Sequence, residues 1–154
     1  MTFNQAQWAG NYAAGSIGAI LLFARNLGAT DLQVRLALGD ASAPAIGGTW
    51  FATNVSVFLP AGSAWVPVIF HLGSGDLTRV AGTGTYADVM QSVVTLRILH
   101  SQAPSAFGDN VVATLGVDRI VALPEPGATP TLLSGITLLA SCGALRARRR
   151  RAKA

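Results

Sequence analysis

Charge in this chain of 154 residues is sorted by position, and that sorting constrains its architecture more than any other feature. Residues 1–123 carry Arg25, Arg35, Arg79, Arg97 and Arg119 against six aspartates, a net of −1. Glu125 is the sole glutamate. Nineteen residues from Gly127 to Leu145 then pass without a charge, and the final nine hold Arg146, Arg148, Arg149, Arg150, Arg151 and Lys153. The formal net charge of +4 therefore belongs to a tail. The near-neutral body gives no basic face for nucleic acid.

The body reads as all-β. Leu32, Val34, Leu36 and Leu38 alternate with Gln33, Arg35 and Ala37, the period-two pattern of a half-buried strand. Ile17–Ala24 is instead a continuous apolar run, as expected for a strand covered on both faces. Trp50–Leu59, Trp65–Leu72, Val93–His100 and Val111–Ala122 supply further strands rich in Val, Phe and Trp, and Phe3–Tyr12 an irregular edge strand. Between them lie turn sequences such as Asn26-Leu27-Gly28, Pro60-Ala61-Gly62-Ser63 and Gly73-Ser74-Gly75-Asp76. Short strands at this spacing predict an antiparallel β-sandwich, jelly-roll-like, over residues 1–122. One helix is predicted within it, Tyr86–Val93, with Thr85 as its cap.

At Leu123-Pro124-Glu125-Pro126-Gly127 the composition changes. Two prolines lack amide donors and restrict the residues before them, so 123–129 reads as an extended linker. Thr129-Pro130 then opens a helix, with a capping hydroxyl and a proline at the first helical position. Residues 130–145 would make about 24 Å of helix, somewhat short of a hydrocarbon core of about 30 Å. Arg146 can snorkel to complete the span. Arginines 146–151 would hold residues 146–154 on the cytoplasmic side and leave the body outside. The alternatives are an ordinary buried helix and a basic nucleic-acid tail; the apolar segment and the arginines standing together favour the membrane.

Taken in order, Pro124, Glu125 and Pro126, the apolar segment and the basic cluster resemble the bacterial PEP-CTERM sorting signal, with Leu123 where Val is more usual. The resemblance covers about a fifth of the chain. It implies a partner, exosortase, a membrane-embedded cysteine transpeptidase-like enzyme of Gram-negative bacteria that make exopolysaccharide. It also implies an exported envelope or extracellular-matrix protein that is an enzyme's substrate and not itself a catalyst. Leu115-Gly116-Val117-Asp118-Arg119-Ile120 is similar to the closing Val-Asp-Asn-Ile strand of the jelly-roll domains that precede such tails, with Arg119 in place of Asn. Met1–Ala14 has no Lys or Arg to form the basic start of a secretory signal, so the exported form is expected to begin upstream of Met1.

No other constellation points to chemistry. Cys142 is the single cysteine and lies in the apolar tail, so neither an internal disulfide nor a cysteine metal site is expected. His71 and His100 stand at strand ends without a second ligand nearby. Asp76, Asp109 and Asp118 read as turn and strand-end residues, with a shared calcium site as the sharper reading. A single glutamate excludes a paired-glutamate glycosidase. Nucleophile-elbow and zinc-protease motifs are absent. Neither metal nor cofactor is expected. Trp50 and Trp65 are the candidate carbohydrate contacts, since indole rings stack on the apolar faces of sugars, although aromatics that open strands more often pack a core. Three functional readings stand: an exosortase-sorted matrix protein, a carbohydrate-binding module on the cell surface, and a permanently anchored single-span membrane protein.

Overall fold

The structure, a computed structural model, describes residues 2–4 and 7–125. Pro126, the segment 130–145 and the basic cluster Arg146–Lys153 lie outside the described residues.

Nine strands are present among the described residues: β1 Thr2–Asn4, β2 Ile17–Asn26, β3 Leu32–Gly39, β4 Trp50–Thr53, β5 Val57–Leu59, β6 Val66–His71, β7 Leu77–Ala81, β8 Thr95–His100 and β9 Leu115–Pro124. All pairings are antiparallel. A six-stranded sheet runs in the order β1-β8-β3-β4-β7, with β5 also paired to β3, and a three-stranded sheet in the order β6-β2-β9. Ile20, Leu22 and Ala24 of β2 and Val68 and Phe70 of β6 share one hydrophobic cluster with Leu32, Val34, Leu36, Leu38, Phe51, Leu96 and Ile98 of the larger sheet. Two sheets closing on one core make a β-sandwich, the all-β fold that the alternating strands predict.

Several elements differ from their predicted form. Trp50–Leu59 is two strands. β4 pairs with Ala37–Gly39 and β5 with Leu32–Val34, so they are two halves of one broken strand alongside β3. At the break, the carbonyls of Thr53 and Asn54 accept from Arg35 Nη1, both at 2.8 Å. A cation reaching out of β3 thus replaces ladder bonds. β7 was not predicted, because Leu77-Thr78-Arg79-Val80-Ala81 is short and its apolar residues do not alternate with polar ones. Of the predicted edge strand Phe3–Tyr12, the described residues show Phe3 and Asn4 in β1, on the outer edge of β8, and an isolated bridge from Gly10 to Val93. The helix is shorter than predicted, Tyr86–Gln91, but its cap is a full capping box. Thr85 Oγ1 accepts from Asp88 N, and the Asp88 carboxylate accepts from Thr85 N. β9 runs through Leu123 to Pro124, two residues into the predicted linker. Proline is tolerated there because β9 is an edge strand.

Burial of the two central strands is the reverse of the sequence expectation. β3, predicted half-buried, has every residue except Gln33 buried. Its second face is covered because Arg35 reaches Ser101 O, Ala37 packs with Ala52 and Leu99, and Gly39 receives the Trp50 ring. β2, predicted covered on both faces, keeps Leu21, Phe23 and Arg25 only half-buried.

Candidate functional site

β9 ends at Pro124, the first residue of the Pro124-Glu125-Pro126 stretch. It pairs with β2 from Asn26↔Leu115 to Ile17↔Pro124, passing a bulge at Arg119, whose φ is +48°. The bulge keeps Ile120 and Ala122 directed at the core after Leu115 and Val117. Pro124 and Glu125 emerge exposed at the end of the small sheet. The Glu125 amide still donates to Ser16 O at 2.8 Å, and its side chain lies on Gly18, where a Cβ would come within 2.5 Å of it. Chain exit is therefore pinned to the start of β2.

Beneath Glu125 opens a cavity of about 260 Å³ lined by Tyr12, Ser16, Ile17, Tyr86, Met90 and Glu125 among others. Tyr12 is buried, donates to Trp8 O at 2.9 Å, and has its pKa pushed up to about 12 by burial. Tyr86 donates to Leu72 O at 2.6 Å. Its pKa is also raised, first by burial and then by the negative charges of Glu125 and Asp76. Both phenols are thus held neutral as hydrogen-bond donors to backbone. The sequence carries no signal for this cavity, since Tyr12 and Tyr86 stand far apart in the chain and only the fold brings them together.

The two candidate sugar contacts do not meet. Trp50 is 0 % exposed, on the outer face of the large sheet, with the Arg97 guanidinium 5.1 Å from its ring centroid and Nε1 donating to Gly47 O. A carbohydrate cannot reach it, so its assignment as a contact is corrected to core packing. Trp65 is 46 % exposed, at the start of β6 on the small sheet. Its ring crosses toward β9, where a Cβ on Gly116 would lie 3.0 Å from it.

The remaining candidates have structural partners. His100 Nδ1 accepts from Gln33 N at 2.8 Å, and Asp109 stands 3.9 Å from Nε2. Asp109 accepts from Gln102 N at 2.7 Å, Asp118 from Arg119 N at 2.8 Å, and Asp76 closes a turn through its own amide to Gly73 O. Among the described residues, no three His, Cys, Asp or Glu side chains group as metal ligands. His71 is exposed and shares a row with Ala19 and Leu123 beside the exit.

Sequence reasoning missed the pair Arg35 and Arg97, both buried on the outer face of the large sheet. Arg35 Nε and Nη2 donate to Ser101 O and Gln102 O, and Arg97 Nη1 to Ala106 O. Burial lowers the pKa of both, in Arg35 against the opposing effect of Asp109. The signal was present, because both arginines alternate with leucines in strands, but a polar face normally reads as solvated.

No protein-family model, curated protein or solved structure matches this chain. No helix of the described residues is long and apolar enough to cross a membrane.

Proposed function

We propose that this chain is an exported, non-catalytic envelope or matrix protein with a jelly-roll-like body, sorted by an exosortase through Pro124–Pro126. The observation that carries the reading is the exit geometry. β9 ends the sandwich at the motif, with Pro124 and Glu125 exposed, and the uncharged segment and arginine cluster follow at once. A processing enzyme needs an accessible peptide tethered at a fixed height, and a strand end anchored through Ser16 supplies one. The segment 130–145 spans the inner membrane, and the arginines keep its end cytoplasmic. The test is an N-terminally tagged chain expressed behind a secretory leader, with and without exosortase. Loss of the tail and relocation to the surface only with the enzyme supports sorting. An intact tail in membranes of both strains favours permanent anchoring, and release at unchanged size in both ends the proposal.

A second reading rests on Trp65 alone. An exposed indole flanked by Pro67 and Ile69 on one face is a surface on which a sugar ring of exopolysaccharide can stack. Trp65→Ala abolishing glycan-array binding, with folding retained, is the outcome that would favour a carbohydrate-binding role.

A further inference from the structure

The small sheet has an apolar outer face that no described residue covers. Register places its side chains in four rows from the exit end: His71–Ala19–Leu123, Ile69–Leu21–Val121, Pro67–Phe23–Asp118, and Arg25–Gly116 beside Trp65. Leu21, Phe23, Ile69 and Val121 take no part in the sandwich core, and Ile69 and Val121 are 49 % and 44 % exposed. Four rows span about 20 Å along the strands, and three strands about 10 Å across them. The continuous apolar run of β2 is the pattern of a strand with both faces covered, yet here one face is open.

From this we infer that the outer face of the small sheet is the docking surface for the chain's own segment Pro130–Leu145. That segment begins a few residues after Pro124, at the top of this same sheet. Residues 125–129 reach about 17 Å when extended, enough to turn back onto the first row. A helix over 130–145 is about 24 Å long and about 10 Å wide, the dimensions of the face. Laid from the exit end, its last turn reaches the Arg25 row. There Arg25 Nε is buried with no hydrogen-bond acceptor among the described residues, and the last four carbonyls of a helix lack intrahelical donors. Docking shields the sixteen uncharged residues 130–145 from water until the segment is handed to a bilayer. It does not require that exosortase cuts the chain, so the two proposals fail separately.

Cys142 is the chain's single cysteine and serves as the probe. Twelve residues into the helix, it stands about 18 Å along, in the interval between the third row and the fourth. Full-length chains carrying Pro67→Cys, or Ile46→Cys as a control on the loop beside the large sheet, are oxidised with diamide in intact cells and run without reductant. We expect an intramolecular disulfide in the monomer roughly tenfold faster for Pro67→Cys than for Ile46→Cys. Leu138→Glu with Leu139→Glu in the tail should return it to the control rate. Equal rates for the two positions overturn the inference. So do a disulfide-linked dimer as the main product, which assigns the face to a second copy, and cross-linking unaffected by the two glutamates.

Discussion

Both sheets of the sandwich present an inner face to one core, but their outer faces are closed by opposite means. The large sheet's outer face carries Ala37, Ala52 and Leu99 as a small apolar cluster, sealed by polar chemistry at its margins. Arg35 satisfies four carbonyls on two neighbouring segments, Arg97 reaches Ala106, and Trp50 lies flat on Gly39. The small sheet has no such clasp among the described residues, and its outer face is apolar and open, with Ile69 and Val121 exposed. A sheet can therefore hold two buried guanidiniums when backbone carbonyls accept from them, because no second charge has to be desolvated. The small sheet has no clasp, and the cover inferred for it is the apolar segment of the same chain.

Removing the clasp gives the largest expected effect. Arg35→Ala leaves the carbonyls of Thr53, Asn54, Ser101 and Gln102 without that donor in a buried setting. A loss of about 3 kcal/mol or more in urea unfolding is expected. Arg35→Lys should recover only part, since an ammonium lacks the planar fork that serves both flanking segments. A loss below about 1 kcal/mol for Arg35→Ala would mean that the large sheet is held by its inner face alone. Next in size is Gly39→Val, whose Cβ would approach the Trp50 ring to 2.4 Å. The ring must leave its place under Arg97, at a cost of about 1–3 kcal/mol for overpacking. Trp50 emission should shift toward that of an exposed indole. An unshifted spectrum with unchanged stability would show that the ring has room to move.

These residues also show what was legible in the sequence. Period-two alternation identified the core-facing leucines of β3 because inner faces obey one rule, apolar toward the core. It misjudged the outer faces because their cover is non-local. Nothing near Arg35 announces that residues 101 and 102 fold back to accept from it, at a sequence distance of more than sixty. The helix cap was readable, since Thr85 and Asp88 interact within one turn. The break between β4 and β5 was not, as it depends on a donor eighteen residues away. The proline motif was plain as composition, yet its first residue belongs to a strand, because an edge position removes the penalty that a central one would impose.

Tyr12 tests the seam where the N-terminal segment joins the core beside the exit, through Tyr12 N to Met90 O. Its folded pKa of about 12 exceeds the ordinary value of 10.0. The folded state thus keeps a proton that the unfolded state releases. The associated stability is fully present below pH 10.0 and is lost as pH rises toward about 12. That limb amounts to about 3 kcal/mol. Tyr12→Phe should flatten it while costing about 1 kcal/mol at neutral pH through the lost bond to Trp8 O. An unchanged alkaline limb in the variant would place the titration elsewhere.

The smallest expected effect is also the sharpest on the contrast between the sheets. Leu99 and Ile69 are both outward-facing aliphatic residues, one sealed at 0 % exposure and the other 49 % exposed. Lysine at 99 must bury an ammonium beside Arg35 and Arg97, and should leave little folded protein. Lysine at 69 can extend its stem over Leu21 and place its charge in water, so global unfolding should move by no more than about 0.5 kcal/mol. If the tail lies on this face, however, the ammonium sits in its path. Ile69→Lys should then leave unfolding of the body unchanged while making the full-length chain more prone to aggregate, as measured by light scattering. Unfolding and scattering that both match the unmodified chain would mean that the open face is simply a wet one.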